Sequence, residues 1–291
     1  EDGTLWVWGA GDDGQLGVGV REPRLMPARI GGSDVFGCPV LSVAVGQLHS
    51  AITTEDGRLF TWGDGLQGRL GHGDEDPKLA PTQVPTEAFG GWPVVLVDCG
   101  RDHTLCVDAD GEVWSWGYGG WGRLGHGHVN DLFVPTKVGK DRFGGCRIGL
   151  VAAGDSHSLA VSAEGNRVFA WGCGRDGCLG VPVFEDRLLP TELLQAFQDS
   201  SIVVVAAGRA HTVAVARDGK MWAWGSGSSG QLGLGDKFSR KKPTLITGGI
   251  EGEGESVFGR SVMVMAACGS EHTLAATQDG GLWAWGSTAW E

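Results

Sequence analysis

Apolar residues fall in short runs along this chain, and the runs recur in a fixed order of four. The first run is nearly unbroken, at residues 40–45, 94–97, 148–152, 202–206 and 262–266. Such runs lack alternation and predict strands buried on both faces. Gly-x-x-His follows, with His49, His103, His157, His211 and His272, and leads into a second strand at 50–53, 104–107, 158–161, 212–215 and 273–276. An Asp-Gly pair (Glu164-Gly165 in one copy) then predicts a hairpin turn, because Gly accepts a positive φ. The third strand carries aromatics at alternate positions and closes on Trp-Gly, as in DGEVWSWG at 110–117. A Gly-rich loop ending in Leu-Gly leads to a fourth strand begun by Pro, at 27–30, 81–84, 135–138, 190–193 and 243–246. Pro has no N–H to donate, so this strand belongs at an edge.

The order is locked to one period. The tryptophans of the Trp-Gly pairs, Trp8, Trp62, Trp116, Trp171, Trp224 and Trp285, are spaced by 54, 54, 55, 53 and 61 residues. Three phrases held in step predict a repeat protein. Four antiparallel strands per period, with a Pro-bearing edge strand last, predict blades of an all-β propeller. The chain then divides into a partial blade at 1–38, full blades near 39–92, 93–146, 147–200 and 201–260, and a partial blade at 261–291, all in a single domain. Phe36, Phe89, Phe143, Phe197 and Phe258 recur in the connections and are expected as buried pins between neighbours. The last connection, 248–259, is rich in Gly and Glu and is expected to be mobile.

Gly-x-x-His-Thr, Asp-Gly-x-x-x-x-Trp-Gly and Gly-x-Leu-Gly together resemble the repeat of the regulator of chromosome condensation family. The resemblance covers the whole chain a little over five times. It implies a propeller of four-stranded antiparallel blades, seven-bladed in full. Seven blades on this period need roughly 380 residues, so 291 residues are expected to be part of a longer chain, or else to form a ring of fewer blades.

Composition narrows the function. Gly is 52 of 291 residues, and the glycines keep fixed places in the period, so they mark turns and not low complexity. The net charge of −12 argues against direct nucleic-acid binding, which needs Lys and Arg for phosphate. It suits solubility or a basic protein partner. One basic cluster, Lys237-Phe-Ser-Arg240-Lys241-Lys242, reads as a solvated loop. No apolar run is long enough for a membrane span. The seven cysteines lack zinc spacing, and Cys99 and Cys268 stand where other repeats have Val45, Ala153 and Ala207. They read as small buried hydrophobes in an intracellular, reducing compartment, cytoplasm or nucleus.

No catalytic set emerges, and no metal or cofactor is expected. A zinc site needs three or four converging ligands. The repeated His come one per blade and are expected to hydrogen-bond within their own turns. Ser follows His at His49-Ser50 and His157-Ser158, but strand neighbours point to opposite faces. The Gly-rich loops lack the Gly-Lys-Ser/Thr of a phosphate-binding loop.

What varies within the frame is more informative. The residues between Gly and His are Gln47 and Leu48, Arg101 and Asp102, Asp155 and Ser156, Arg209 and Ala210, and Ser270 and Glu271. All are expected on one face, either as partner contacts or as tolerated loop positions. A second candidate, Tyr118 with Trp121 and Arg123, is expected on the opposite face or the rim. These types are common in interface hot spots, though packing between loops is an equal reading. Trp92 and Trp290 stand outside the repeat and carry the same two readings.

The favoured expectation is a non-enzymatic scaffold that binds another protein, as a module of a larger protein or complex. The resemblance also implies nucleotide exchange on a small GTPase as an alternative. Less favoured are a light sensor similar to the plant UV-B photoreceptor, since no Gly-x-x-His carries Trp here, and a propeller domain of a large ubiquitin ligase.

Overall fold

The computed structural model of the protein describes residues 3–194, 196–197, 200–247 and 261–287. Phe258, the 248–259 connection and Trp290 lie outside them. Two compact units form, Glu1–Gly120 with His128–Val151 and Trp121–Gly127 with Ala152–Glu291. The division falls within the strand Ile148–Ala153.

The first unit begins with a hairpin of Leu5–Gly9 and Arg24–Gly31. A four-stranded antiparallel blade follows: Val40–Val45, His49–Thr54, Leu59–Gly63 and Lys78–Gln83, paired in chain order. The 94–138 blade repeats it with Val94–Cys99, His103–Asp108, Val113–Gly117 and Leu132–Val138. The 148–192 blade adds His157–Ser162, Val168–Gly172 and Arg187–Glu192 to Ile148–Ala153. In the second unit the 202–245 blade has Ile202–Ala207, His211–Ala216, Met221–Gly225 and Arg240–Leu245. The last sheet among the described residues has three strands: Met263–Cys268, His272–Thr277 and Leu282–Gly286.

Within each unit the core lies in layers between successive blades. In the first unit, Ala51, Leu59 and Phe89 pack with Val97, Cys106 and Trp116. In the second unit, Val213, Met221 and Ile246 pack with Met263 and Ala275. Phe89 follows the 40–83 blade and meets Trp114 of the next edge-on, with ring centroids 5.5 Å apart. Phe197 meets Trp222 likewise at 5.6 Å. These phenylalanines are pins between neighbours, as their recurrence suggests. None of the seven cysteines forms a disulfide, and four of them are buried.

Two expectations need correction. The first strands are not buried on both faces: Val43 and Val45 are exposed, and Ile202–Ala207 is only half-buried after its first residue. The first strand is an edge of its sheet. The second and third strands sit inside, and every residue of theirs in the four full blades is buried. The fourth strand also does not start at its Pro. It starts three residues earlier, and Pro81 falls where the register slips between the pairs Thr61 to Thr82 and Gly63 to Lys78. A bulge on an edge strand accommodates a residue without an N–H, which is why Pro is tolerated inside the strand.

Candidate functional site

The repeated polar residues meet at one kind of joint. His49 Nε2 lies 3.0 Å from Thr104 Oγ1 of the following repeat. Thr104 Oγ1 donates to the Arg69 carbonyl at 2.9 Å, and Trp116 Nε1 donates to that same carbonyl at 3.0 Å. Because the threonine proton is committed to the carbonyl, the imidazole must donate through Nε2–H. The second unit repeats the arrangement. His157 lies 3.0 Å from Thr212, and Thr212 and Trp224 both donate to the Cys178 carbonyl. His211 lies 3.0 Å from Thr273, and Thr273 and Trp285 both donate to the Gln231 carbonyl. His49, His157 and His211 therefore tie one repeat to the next, and do not serve their own turns as expected. The reach of the ring explains the error: the side chain extends past the turn to the neighbouring strand.

Burial holds these rings neutral. Loss of solvation, aided by the Arg69 charge, lowers the His49 pKa from 6.5 to about 3. Loss of solvation, with His211 and Arg123 adding to it, takes His157 to about 3. His211 falls to about 4, mainly through burial. His272 is exposed, and Trp8 is 61% exposed, whereas Trp62, Trp116, Trp171 and Trp224 are buried. The first Gly of Gly-x-x-His is set by the ring above it: a Cβ on Gly154 would lie 2.7 Å from His157 Nδ1. The Gly after Trp is set by backbone. Gly117 has φ 102°, and a Cβ there would lie 2.6 Å from the Asp102 carbonyl oxygen.

The two candidate sets lie at the same end of the blades, which corrects the expected separation. His103 pairs with Gly117 across the hairpin, so the third strand returns to where the second began. The Tyr118 N–H donates to the Asp102 carbonyl at 2.9 Å. In the second unit Arg123, 1% exposed, donates through Nη1 to the Asp155 carbonyl at 2.8 Å and through Nη2 to Ser156 Oγ at 3.4 Å. Antiparallel neighbours force this proximity, and the sequence order of the loops conceals it.

Within this end, some side chains are held and others are presented. Arg69, 4% exposed, contacts Asp102 at 3.1 Å and Asp64 at 3.4 Å, and donates through Nε to the Leu66 carbonyl at 2.9 Å. Trp121 sits at a left-handed loop tip, φ 57°, with the Arg123 guanidinium 5.0 Å and that of Arg175 5.9 Å from its ring. Glu271 takes the Ser229 hydroxyl at 2.8 Å and faces Arg209 at 3.7 Å. Gln47, Arg101, Arg209 and Ser270 are exposed, while Leu48, Asp102, Asp155, Ser156, Ala210 and Glu271 are half-buried. Asp64, Arg69 and Arg175 escaped the sequence reading. The signal was present in Gly-Arg-Leu-Gly, which places Arg69 and Arg123 at equivalent positions.

Among the described residues, no group of three or more His, Cys, Asp or Glu could hold a metal ion. No described helix is long and apolar enough to cross a membrane. Ser158 Oγ donates to the Arg123 carbonyl at 2.7 Å, an architectural use of that hydroxyl.

Four-stranded antiparallel blades joined through shared carbonyls define a repeat protein of the β-propeller class. The chain belongs to the regulator of chromosome condensation (RCC1) repeat family, which it matches at 2–53, 56–107, 110–161, 166–215 and 218–276. It is 42% identical over 248 residues to the ultraviolet-B receptor UVR8 of Arabidopsis thaliana, covering 85% of this chain and 53% of that one. It is 37% identical over 276 residues to the human E3 ubiquitin-protein ligase HERC2, covering 94% of this chain and 5% of that one. The chain thus spans about half the length of the first relative and a small part of the second. The crystal structure of Prp20p from Saccharomyces cerevisiae superposes with a TM-score of 0.80 at 26% identity, covering 97% of this chain and 66% of that one. Prp20p was characterised together with its binding to Gsp1p and histones.

Proposed function

We propose that this protein is a non-enzymatic binding scaffold that holds another protein at the blade ends carrying Gly-x-x-His. The observation behind this reading is the contrast within those ends. In the four full blades His, the Ser or Thr after it and Trp are buried at equivalent places, while the residues between Gly and His change from blade to blade. Several of them, Gln47, Arg101 and Arg209 among them, are exposed. A rigid frame with variable tips is how repeat proteins present a surface. The partner is a small GTPase, a basic protein or the subunits of a complex, and the binding of Prp20p to Gsp1p and histones supports such classes. Cysteines without disulfides suit a reducing compartment.

The test is affinity capture with identification of the partner by mass spectrometry, followed by titration of that partner. Arg101→Glu combined with Arg209→Glu should weaken binding by about tenfold or more, as truncation or reversal at a hot spot does. The far-UV circular dichroism melt should stay unchanged, because both side chains are exposed. Equal affinity for both forms would remove the blade ends from the interface. A small GTPase retained only without nucleotide would instead favour an exchange factor.

A further inference from the structure

A groove lies on the fourth-strand side of the second unit. It has a volume of about 530 Å³ and runs between the 148–192 and 202–245 blades. Val181, Pro182, Leu193, Leu194 and Pro243 give it apolar walls, and Lys242 stands at its lip. Leu194 is 77% exposed. Glu192 also lines it, but that carboxylate is gripped by Arg167 through two hydrogen bonds of 2.8 and 2.6 Å. Beside the groove, Lys241 Nζ lies 3.8 Å from the ring centroid of the exposed Phe184. Arg240 is neutralised by Asp236 at 2.6 Å. Among the described residues, Lys237, Lys241 and Lys242 form no ion pair.

The first unit contains the equivalent groove, and the comparison isolates the charge. There Gly17, Val18 and Gly19 replace Gly180, Val181 and Pro182, and Ile30 replaces Leu193. Ala80 stands before Pro81 where Lys242 stands before Pro243. The cation of that groove, Arg29, is paired with Asp34. The same frame thus occurs once with its charge balanced and once with lysines that form no ion pair among the described residues, in a chain of net charge −12.

We propose that the 180–243 groove docks an acidic peptide segment of a partner protein, with one or two apolar side chains seated in the groove and flanking carboxylates on Lys241 and Lys242. The volume lies in the range of small-ligand sites, roughly 300–1,000 Å³, and has room for such side chains. The apolar walls favour a peptide over a bare phosphate or a nucleic-acid backbone, neither of which would fill them. Long-range attraction to the lysines should speed encounter and should weaken as salt screens it. The fourth strand does not invite strand addition, because Pro243 lies within it and has no N–H to donate.

The probe is a short fluorescein-labelled peptide with Leu-Phe set between runs of Asp and Glu, titrated with the whole chain and read by anisotropy. Binding should weaken by about tenfold in Lys241→Glu with Lys242→Glu, which reverses charge on two exposed side chains, and by a similar factor in Leu194→Asp. A peptide with Lys in place of the acids should not bind. Ala80→Lys should raise affinity or add a second site. The proposal is overturned if the lysine variant binds as well as the original chain, or if an acidic peptide with Gly-Gly for Leu-Phe binds equally well. It is also overturned if Arg101→Glu with Arg209→Glu abolishes binding while the groove variants do not. That last result would leave the blade-end reading standing, so the two ideas fail separately.

Discussion

Trp116→Ala should destabilise the protein by about 3–5 kcal/mol, the range for removing a fully buried large aromatic. The indole is completely buried between the 40–83 and 94–138 blades, and Phe89 packs on it. Its Nε1–H is also one of two donors to the Arg69 carbonyl. The substitution therefore opens a cavity and removes a hydrogen bond from a buried acceptor. Trp8 occupies the equivalent place in the 5–31 hairpin but is largely exposed. Trp8→Ala should cost no more than about 0.5 kcal/mol, as surface changes do. Urea unfolding followed by far-UV circular dichroism compares the two without relying on tryptophan fluorescence. Equal costs would show that burial in the joint is not what makes these tryptophans matter.

Acid should unfold the protein over a window set by its histidines. An unfolded histidine titrates near 6.5, whereas His49 and His157 stay neutral down to about 3 and His211 down to about 4. Between these values the unfolded chain binds protons that the folded chain refuses, so stability rises with pH through this window. It is fully present above about 6.5 and is lost as pH falls toward 3. Each unit of depression corresponds to about 1.4 kcal/mol. The melting temperature should thus fall steeply from pH 6.5 to pH 4. His157→Gln, neutral and still able to donate to Thr212, should be less stable at pH 7 but less sensitive to acid. A melting temperature unchanged down to pH 4 would contradict the buried, neutral state of these rings.

The blades were legible because strand propensity, turn chemistry and period agree in every copy. The Asp-Gly turn fixes one hairpin, and the alternating aromatics of Val113–Gly117 mark the strand beside it. What stayed hidden depends on which neighbour a residue meets. The first strand reads as fully buried by composition, yet it is an edge. Pro81 reads as a strand start because a bulge has no signature of its own beyond the Pro. The site was harder still. Asp102 and Asp155 looked like candidate contacts, but Asp102 faces the buried Arg69, and the Asp155 backbone accepts from the buried Arg123. Only packing between neighbouring blades brings an arginine from one loop to the next blade's turn, and that partner lies more than thirty residues away in sequence.

The shared carbonyl has a consequence for how such a chain can grow. Each joint takes its acceptor from one repeat and both donors from the following one, as Arg69 receives Trp116 and Thr104. A segment one period long therefore carries one acceptor and one donor pair wherever it is cut. Copying 54 residues in phase, the distance from Trp62 to Trp116, creates a new joint and leaves the old ones intact. Deleting the same length removes one joint and rejoins its neighbours. Duplication or loss of whole repeats preserves the hydrogen-bond pattern, whereas a gene rearrangement out of phase strands a buried carbonyl without its donors.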